Sequence, residues 1–131
     1  DADEVPVFIF CAEEVPPEKE AALTARGARV FRTGQGGKVD LPLMMRRLAE
    51  LEIGSVLLEG GGRLNGAMLE AGLVDKVVLF LAPLIVGGRE APSVFDFSGV
   101  SRISEAYRLE RIEAETIGDN LCITGYPVKR A

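Results

Sequence analysis

Val56-Leu57-Leu58-Glu59-Gly60-Gly61-Gly62-Arg63-Leu64-Asn65-Gly66 is the stretch whose reading decides the fold. Val56, Leu57 and Leu58 are consecutive apolar residues without alternation, which predicts a short strand covered on both faces. Glu59 follows at the carboxyl end of that strand, the end at which open α/β sheets place their ligand crevices. The three glycines Gly60, Gly61 and Gly62 permit positive φ and let a ligand approach the backbone with no Cβ in the way. From about Leu64 the spacing Leu64, Ala67, Met68, Ala71 is helical, and Gly72 stands where a helix would stop. The free amides and positive dipole end of that helix would face the glycine turn and suit a phosphate.

The motif leaves two readings open. It is neither a strict G-x-G-x-x-G nor a P-loop, because no Lys-Ser/Thr pair follows the glycines. A tight strand-to-helix connection with no ligand would look the same. Glu59 favours a site, since a carboxylate beside anion-attracting amides is suited to a second ligand or a neutral donor. Its plain alternative is a solvated charge at a strand end.

Working upstream, Asp40 is a good N-cap with Pro42 just inside the helix. Leu41, Met44, Met45, Leu48 and Leu51 mark an apolar stripe running through Glu52, with Gly54 as the stop. Thr33 to Lys38 reads as a flexible glycine loop. Ala28 to Arg32 is a short alternating run that suits an edge strand. Pro16 and Pro17 open a helix ending at Gly27, and Val5 to Cys11 is a strand rich in β-formers. Asp1 to Glu4 reads as frayed.

Working downstream, Lys76 to Pro83 is a long apolar strand, expected to be central. With the glycine motif it suggests one right-handed βαβ crossover. Leu84-Ile85-Val86 ends at Gly87-Gly88-Arg89, a second glycine turn that could flank the same crevice or be a plain loop. Ala91 to Ser104 reads as a long connection with a few buried anchors, Val94, Phe95 and Phe97. Tyr107 to Ile117, the turn Gly118-Asp119-Asn120 and Leu121 to Tyr126 form an antiparallel hairpin. Lys129 to Ala131 is a tail. The sum is an α/β chain with a mixed, mostly parallel sheet flanked by helices and a C-terminal antiparallel hairpin.

Composition limits the function. The 131 residues are 47% hydrophobic, enough for one domain with its own core, residues 1–131. A net charge of −5 gives no electrostatic case for nucleic acid or an anionic membrane. No apolar run has membrane-spanning length, and the first residues lack a leader pattern. With no histidine, Ser-His and Cys-His nucleophiles and histidine metal sites are excluded within this chain, and no metal is expected. Cys11 and Cys122 each sit in apolar runs and read as small buried hydrophobes, in keeping with a reducing cytoplasm.

The runs Leu57 to Gly62, Leu64 to Asp75 and Ala82 to Gly88 closely resemble the carboxyl-terminal reductase domain of the bifunctional riboflavin-biosynthesis deaminase/reductase. The resemblance extends from about Val5 to Tyr126 and is weaker from Glu90 to Arg108. It implies a dihydrofolate-reductase-like fold. It also implies reduction of the ribosyl group of 5-amino-6-(5-phosphoribosylamino)uracil to a ribityl chain, with hydride from NADPH. Carried onto this sequence, Gly60, Gly61 and Gly62 would line the cofactor pyrophosphate, and Leu64 and Asn65 would offer helix-start amides. Glu59 matches the carboxylate beside substrate and nicotinamide, positioning them or assisting proton transfer. Arg32, Arg63 and Arg89 are candidates for the cofactor's 2′-phosphate.

Domains of this family begin with further strands and helices ahead of the one matched by Val5 to Cys11, so the chain reads as the C-terminal portion of a reductase domain. The expectation is then that cofactor binding survives better than full catalysis, and that uncovered sheet edges favour a homo-oligomer. The alternatives are a non-catalytic nucleotide-binding or dimerisation module, and a dihydrofolate- or pterin-type reductase on the same fold.

Overall fold

The computed structural model describes residues 5–128; the frayed start and the tail expected at the two ends lie outside them. The chain divides into two compact units, and the division falls between Leu57 and Leu58.

The first unit is built on β1 (Phe8–Cys11), α1 (Pro17–Thr24) and β2 (Arg29–Arg32). β1 and β2 pair in parallel, Phe8 opposite Arg29 through Cys11 opposite Arg32, with α1 as the crossover. Phe10 stacks on Phe31 at 5.2 Å between ring centroids, and the Arg29 guanidinium lies 5.4 Å from the rings of both Phe8 and Phe31. The aromatic and β-branched bias of these strands thus becomes cross-strand contact. Gly27, at φ 84°, turns the chain out of the helix. Arg32 pins the β1–α1 connection. It donates to the carbonyls of Glu13 (2.8 Å) and Val15 (3.4 Å) and to the Glu20 carboxylate. The hydrogen bond to Glu20, and then its charge, hold the Arg32 pKa above the usual arginine value.

Thr33 to Lys38 is not the open loop expected. β3 (Gly34–Gln35) and β4 (Lys38–Val39) pair antiparallel around Gly36 and Gly37, at φ 61° and 77°. Two successive positive φ angles are what a two-residue type I′ hairpin requires. α2 (Leu41–Glu50) begins where Asp40 predicts, with its carboxylate accepting from the Leu43 amide at 2.8 Å. It ends earlier than Gly54, because Glu52 itself takes the left-handed conformation, at φ 62°.

The second unit holds α3 (Gly62–Glu70), β5 (Val77–Leu81), β6 (Leu109–Ile117) and β7 (Asn120–Pro127). The sheet order is β5-β7-β6, antiparallel throughout. The two-residue loop Gly118–Asp119 has Gly118 at φ 59°, the first-position glycine that a type II′ hairpin asks for. A bulge between Glu110 and Glu113 puts Arg111 at φ 49°, and its guanidinium lies 3.8 Å from the Tyr126 ring centre. Met68 and Leu69 of α3, Val77 and Cys122 are the buried apolar side chains.

Four expectations are corrected here. Val56 to Leu58 forms no strand and belongs to no ladder, and Leu57 is 83% exposed. An apolar run becomes a strand only when neighbouring backbone offers donors and acceptors, and no described residue does so here. β5 is an edge strand rather than a central one: β7 occupies the centre, and Phe80 on β5 is 64% exposed. The α/β class holds, but one strand pair is parallel and three are antiparallel, so the balance is not mostly parallel. The parallel crossover is β1–α1–β2 and not the unit around the glycine motif.

Candidate active site

The glycine motif lies in the second unit, at the start of α3. The helix begins at Gly62, two residues before the periodicity suggests, and Gly61 is its N-cap with φ −73° and ψ 168°. No side chain caps it. Helix geometry leaves the amides of Gly62, Arg63 and Leu64 without an intrahelical acceptor. The Asn65 amide is already engaged, donating to the Gly61 carbonyl at 3.1 Å.

Gly60, Gly61 and Gly62 are not at positive φ. Their shared lack of a Cβ serves three different ends. A Cβ on Gly60 would fall 2.8 Å from Cδ2 of Leu64, so that position makes room for the Leu64 side chain. A Cβ on Gly62 would fall 2.2 Å from the Ser93 carbonyl oxygen. A Cβ on Gly61 would meet nothing within 4 Å. Of the three, Gly61 is the one whose bare backbone faces open space beside unused helix amides. That combination fits a phosphate group.

Glu59 is exposed, and among the described residues no hydrogen bond or ion pair engages it. It stands two residues before the N-cap with its acceptors uncommitted. Asn65 is different. Its Nδ2 donates to the Val94 carbonyl at 3.1 Å, and its Oδ1 is buried without a donor.

The segment 93–97, read from sequence as part of a long connection with buried anchors at Val94, Phe95 and Phe97, is therefore part of the neighbourhood, although Val94 is 56% exposed. It lies against Gly62 and Gly66, and the Asp96 amide donates to the Gly62 carbonyl at 2.9 Å. The i, i+4 spacing of Gly62 and Gly66 on one helix face was the signal available in the sequence. Gly87 and Gly88 adopt φ 71° and 102°, backbone conformations that favour glycine, but no hydrogen bond joins them to Gly60–Gly62. Among the arginines, Arg63 is 95% exposed with only a 3.6 Å approach to Asp96, Arg89 is exposed, and Arg32 is held within the first unit. The described residues include no group of three or more acidic, cysteine or histidine side chains able to hold a metal.

Residues 1–123 match the family model of the RibD C-terminal domain. The chain belongs to that family. It is 43% identical over 127 residues to the 2,5-diamino-6-ribosylamino-4(3H)-pyrimidinone 5′-phosphate reductase of Methanothermobacter thermautotrophicus, covering 97% of this chain and 57% of that protein. To the riboflavin biosynthesis protein RibD of Bacillus amyloliquefaciens it is 32% identical over 122 residues, which is 93% of this chain and 33% of that one. The chain thus spans little more than half of the first relative and a third of the second.

Solved structures agree on the fold. Acinetobacter baumannii RibD superposes with a TM-score of 0.67 at 19% identity, over 92% of this chain and 37% of that one. A pyrimidine reductase-like protein of Corynebacterium diphtheriae gives 0.71 at 18% identity, over 95% and 50%. The α/β architecture is that of RibD-like reductases, which have a dihydrofolate-reductase-like fold.

Proposed function

We propose that this chain carries the dinucleotide-phosphate site and the acidic group of a reductase in riboflavin biosynthesis, one that turns the ribosyl group of a ribosylaminopyrimidine 5′-phosphate into a ribityl chain. The observation that carries the reading is Gly61: an open, Cβ-free N-cap beside three unused helix amides, two residues after an uncommitted carboxylate. A relative 43% identical is named a 2,5-diamino-6-ribosylamino-4(3H)-pyrimidinone 5′-phosphate reductase.

The amides of Gly62, Arg63 and Leu64 would hold a pyrophosphate, with Gly61 giving it room and Gly60 letting Leu64 fold back clear of it. Arg63, exposed in the first turn of α3, would be the cation for a 2′-phosphate and the reason to prefer NADPH over NADH. A bound reduced nicotinamide supplies the hydride that C1′ of the sugar accepts. Glu59 would orient the reacting group and hold or deliver a proton as C1′ is reduced. On the pyrimidine, 5-amino-6-(5-phosphoribosylamino)uracil follows from the resemblance, and the diamino-pyrimidinone follows from the name of the 43% relative.

Exposed apolar side chains, Phe80 and Leu81 on the edge strand and the run Leu84 to Val86, favour a homo-oligomer through a second copy of the chain. Two free thiols suit a reducing cytoplasm. Among the described residues no helix is long and apolar enough to cross a membrane.

The test is to titrate NADPH and then NADH into the full chain and follow its melting. A dinucleotide at ~100 times its Kd adds roughly 2.7 kcal/mol of stability. A rise with NADPH and little with NADH is expected, and no rise with either would sink the reading. Each pyrimidine substrate is then offered with NADPH, and the faster oxidation of NADPH identifies the ring.

A further inference from the structure

The segment 93–97 lies along α3 with four separate points of registration. The Ser93 carbonyl occupies the space beside Gly62, and the Asp96 carbonyl the space beside Gly66, 2.5 Å from where a Cβ would be. Asn65 Nδ2 donates to the Val94 carbonyl, and the Asp96 amide donates to the Gly62 carbonyl. One of these contacts, the Asp96 bond to the Gly62 carbonyl, bears on the free amides at the helix start.

A peptide unit is planar, so fixing its carbonyl fixes the N–H of the next residue. The Gly61 carbonyl, in the unit that carries the Gly62 N–H, accepts from the Asn65 amide. The Gly62 carbonyl, in the unit that carries the Arg63 N–H, accepts from Asp96 in the docked segment. Glycine units are the most free to rotate, so the one restraint from outside the helix, the Asp96 bond, matters most there.

We infer that Asn65 is a positioning residue, which latches segment 93–97 into the Gly62–Gly66 groove and thereby aims the Arg63 amide at the phosphate. This rests on the dinucleotide reading above. Asn65 touches no ligand in this assignment. Its side-chain donor is committed to Val94, and its effect passes through Asp96 to the Gly62–Arg63 peptide.

The experiment compares Asn65→Ala and Gly66→Ala with the parent chain. Gly66→Ala is the informative partner, because its methyl group would displace the Asp96 carbonyl without altering Asn65 or the glycine turn. Hydrogen exchange of the Asp96 amide and the Kd for NADPH and for ADP are measured well below the melting temperature of each variant. A hydrogen bond is worth about 1 kcal/mol net, so both variants should exchange Asp96 roughly fivefold faster or more and bind NADPH roughly fivefold more weakly. ADP should lose the same factor, because the amides address the pyrophosphate that both ligands carry. Faster exchange with unchanged NADPH affinity would overturn the positioning role and leave the dinucleotide reading intact. Weaker binding in Asn65→Ala but not in Gly66→Ala would also overturn it, pointing to direct contact by Asn65. If the parent chain binds neither ligand, the dinucleotide reading fails and the positioning role with it.

Discussion

Replacing Gly62 by alanine tests whether the missing Cβ at this position is needed by the protein or by a ligand. The added Cβ would sit 2.2 Å from the Ser93 carbonyl oxygen and 3.3 Å from Cβ of Asp96. Ordinary contact begins near 3.4 Å, so the segment must retreat by about 1 Å; overpacking of this kind costs ~1–3 kcal/mol. That retreat also stretches the 2.9 Å bond from the Asp96 amide to the Gly62 carbonyl, worth about 1 kcal/mol. Gly62 is the first residue of α3, so a Gly→Ala gain there is at most the roughly 0.5–1 kcal/mol of a helix interior and offsets only part of it. The net loss is about 1–3 kcal/mol, or roughly 3–15 °C in Tm for a chain of this length. Gly61→Ala is the control, with open space and φ −73°, and it should melt within about 2 °C of the parent on the scale of a surface change. Thermal unfolding of the three proteins side by side, without ligand, reads the difference. If Gly62→Ala melts with Gly61→Ala, the groove is not packed as argued and the distinction among the three glycines collapses.

Gly61→Ala, silent in that melt, should lose most of the stabilisation by NADPH, because its methyl group occupies the face left open for phosphate; a full ligand-induced shift would count against the site. Glu59→Gln keeps shape and removes charge, and loss of a proton-handling group lowers turnover by about 100-fold or more while NADPH affinity stays within about twofold; turnover within a few-fold of the parent would return Glu59 to a solvated charge. Asp40→Ala removes the cap on α2 and should cost ~1 kcal/mol in urea unfolding, with Asp40→Asn recovering most of it. Gly118→Ala forces a Cβ onto φ 59° in the β6–β7 turn and should cost about 1–2 kcal/mol, whereas Asp119→Ala should be milder.

Much of this molecule is legible locally. Asp40 before Pro42, the Gly27 and Gly72 stops and the Gly118–Asp119 turn are each read correctly, because a cap or a positive φ depends on the chemistry of a few neighbouring residues. The resemblance carried by Leu57 to Gly88 placed the chain among the RibD reductases, and residues 1–123 match that family.

Tertiary structure decided the rest. Val56 to Leu58 has the composition of a buried strand and forms none, since a ladder depends on partners that the run itself does not contain. β5 looks central and is an edge, because the pairing of β7 between β5 and β6 is not written in the hydrophobicity of any one strand. Gly60, Gly61 and Gly62 are identical letters in sequence. Only folding shows that the first accommodates Leu64, the third accommodates Ser93, and the second is left open, because the space beside a Cα is set by segments distant along the chain.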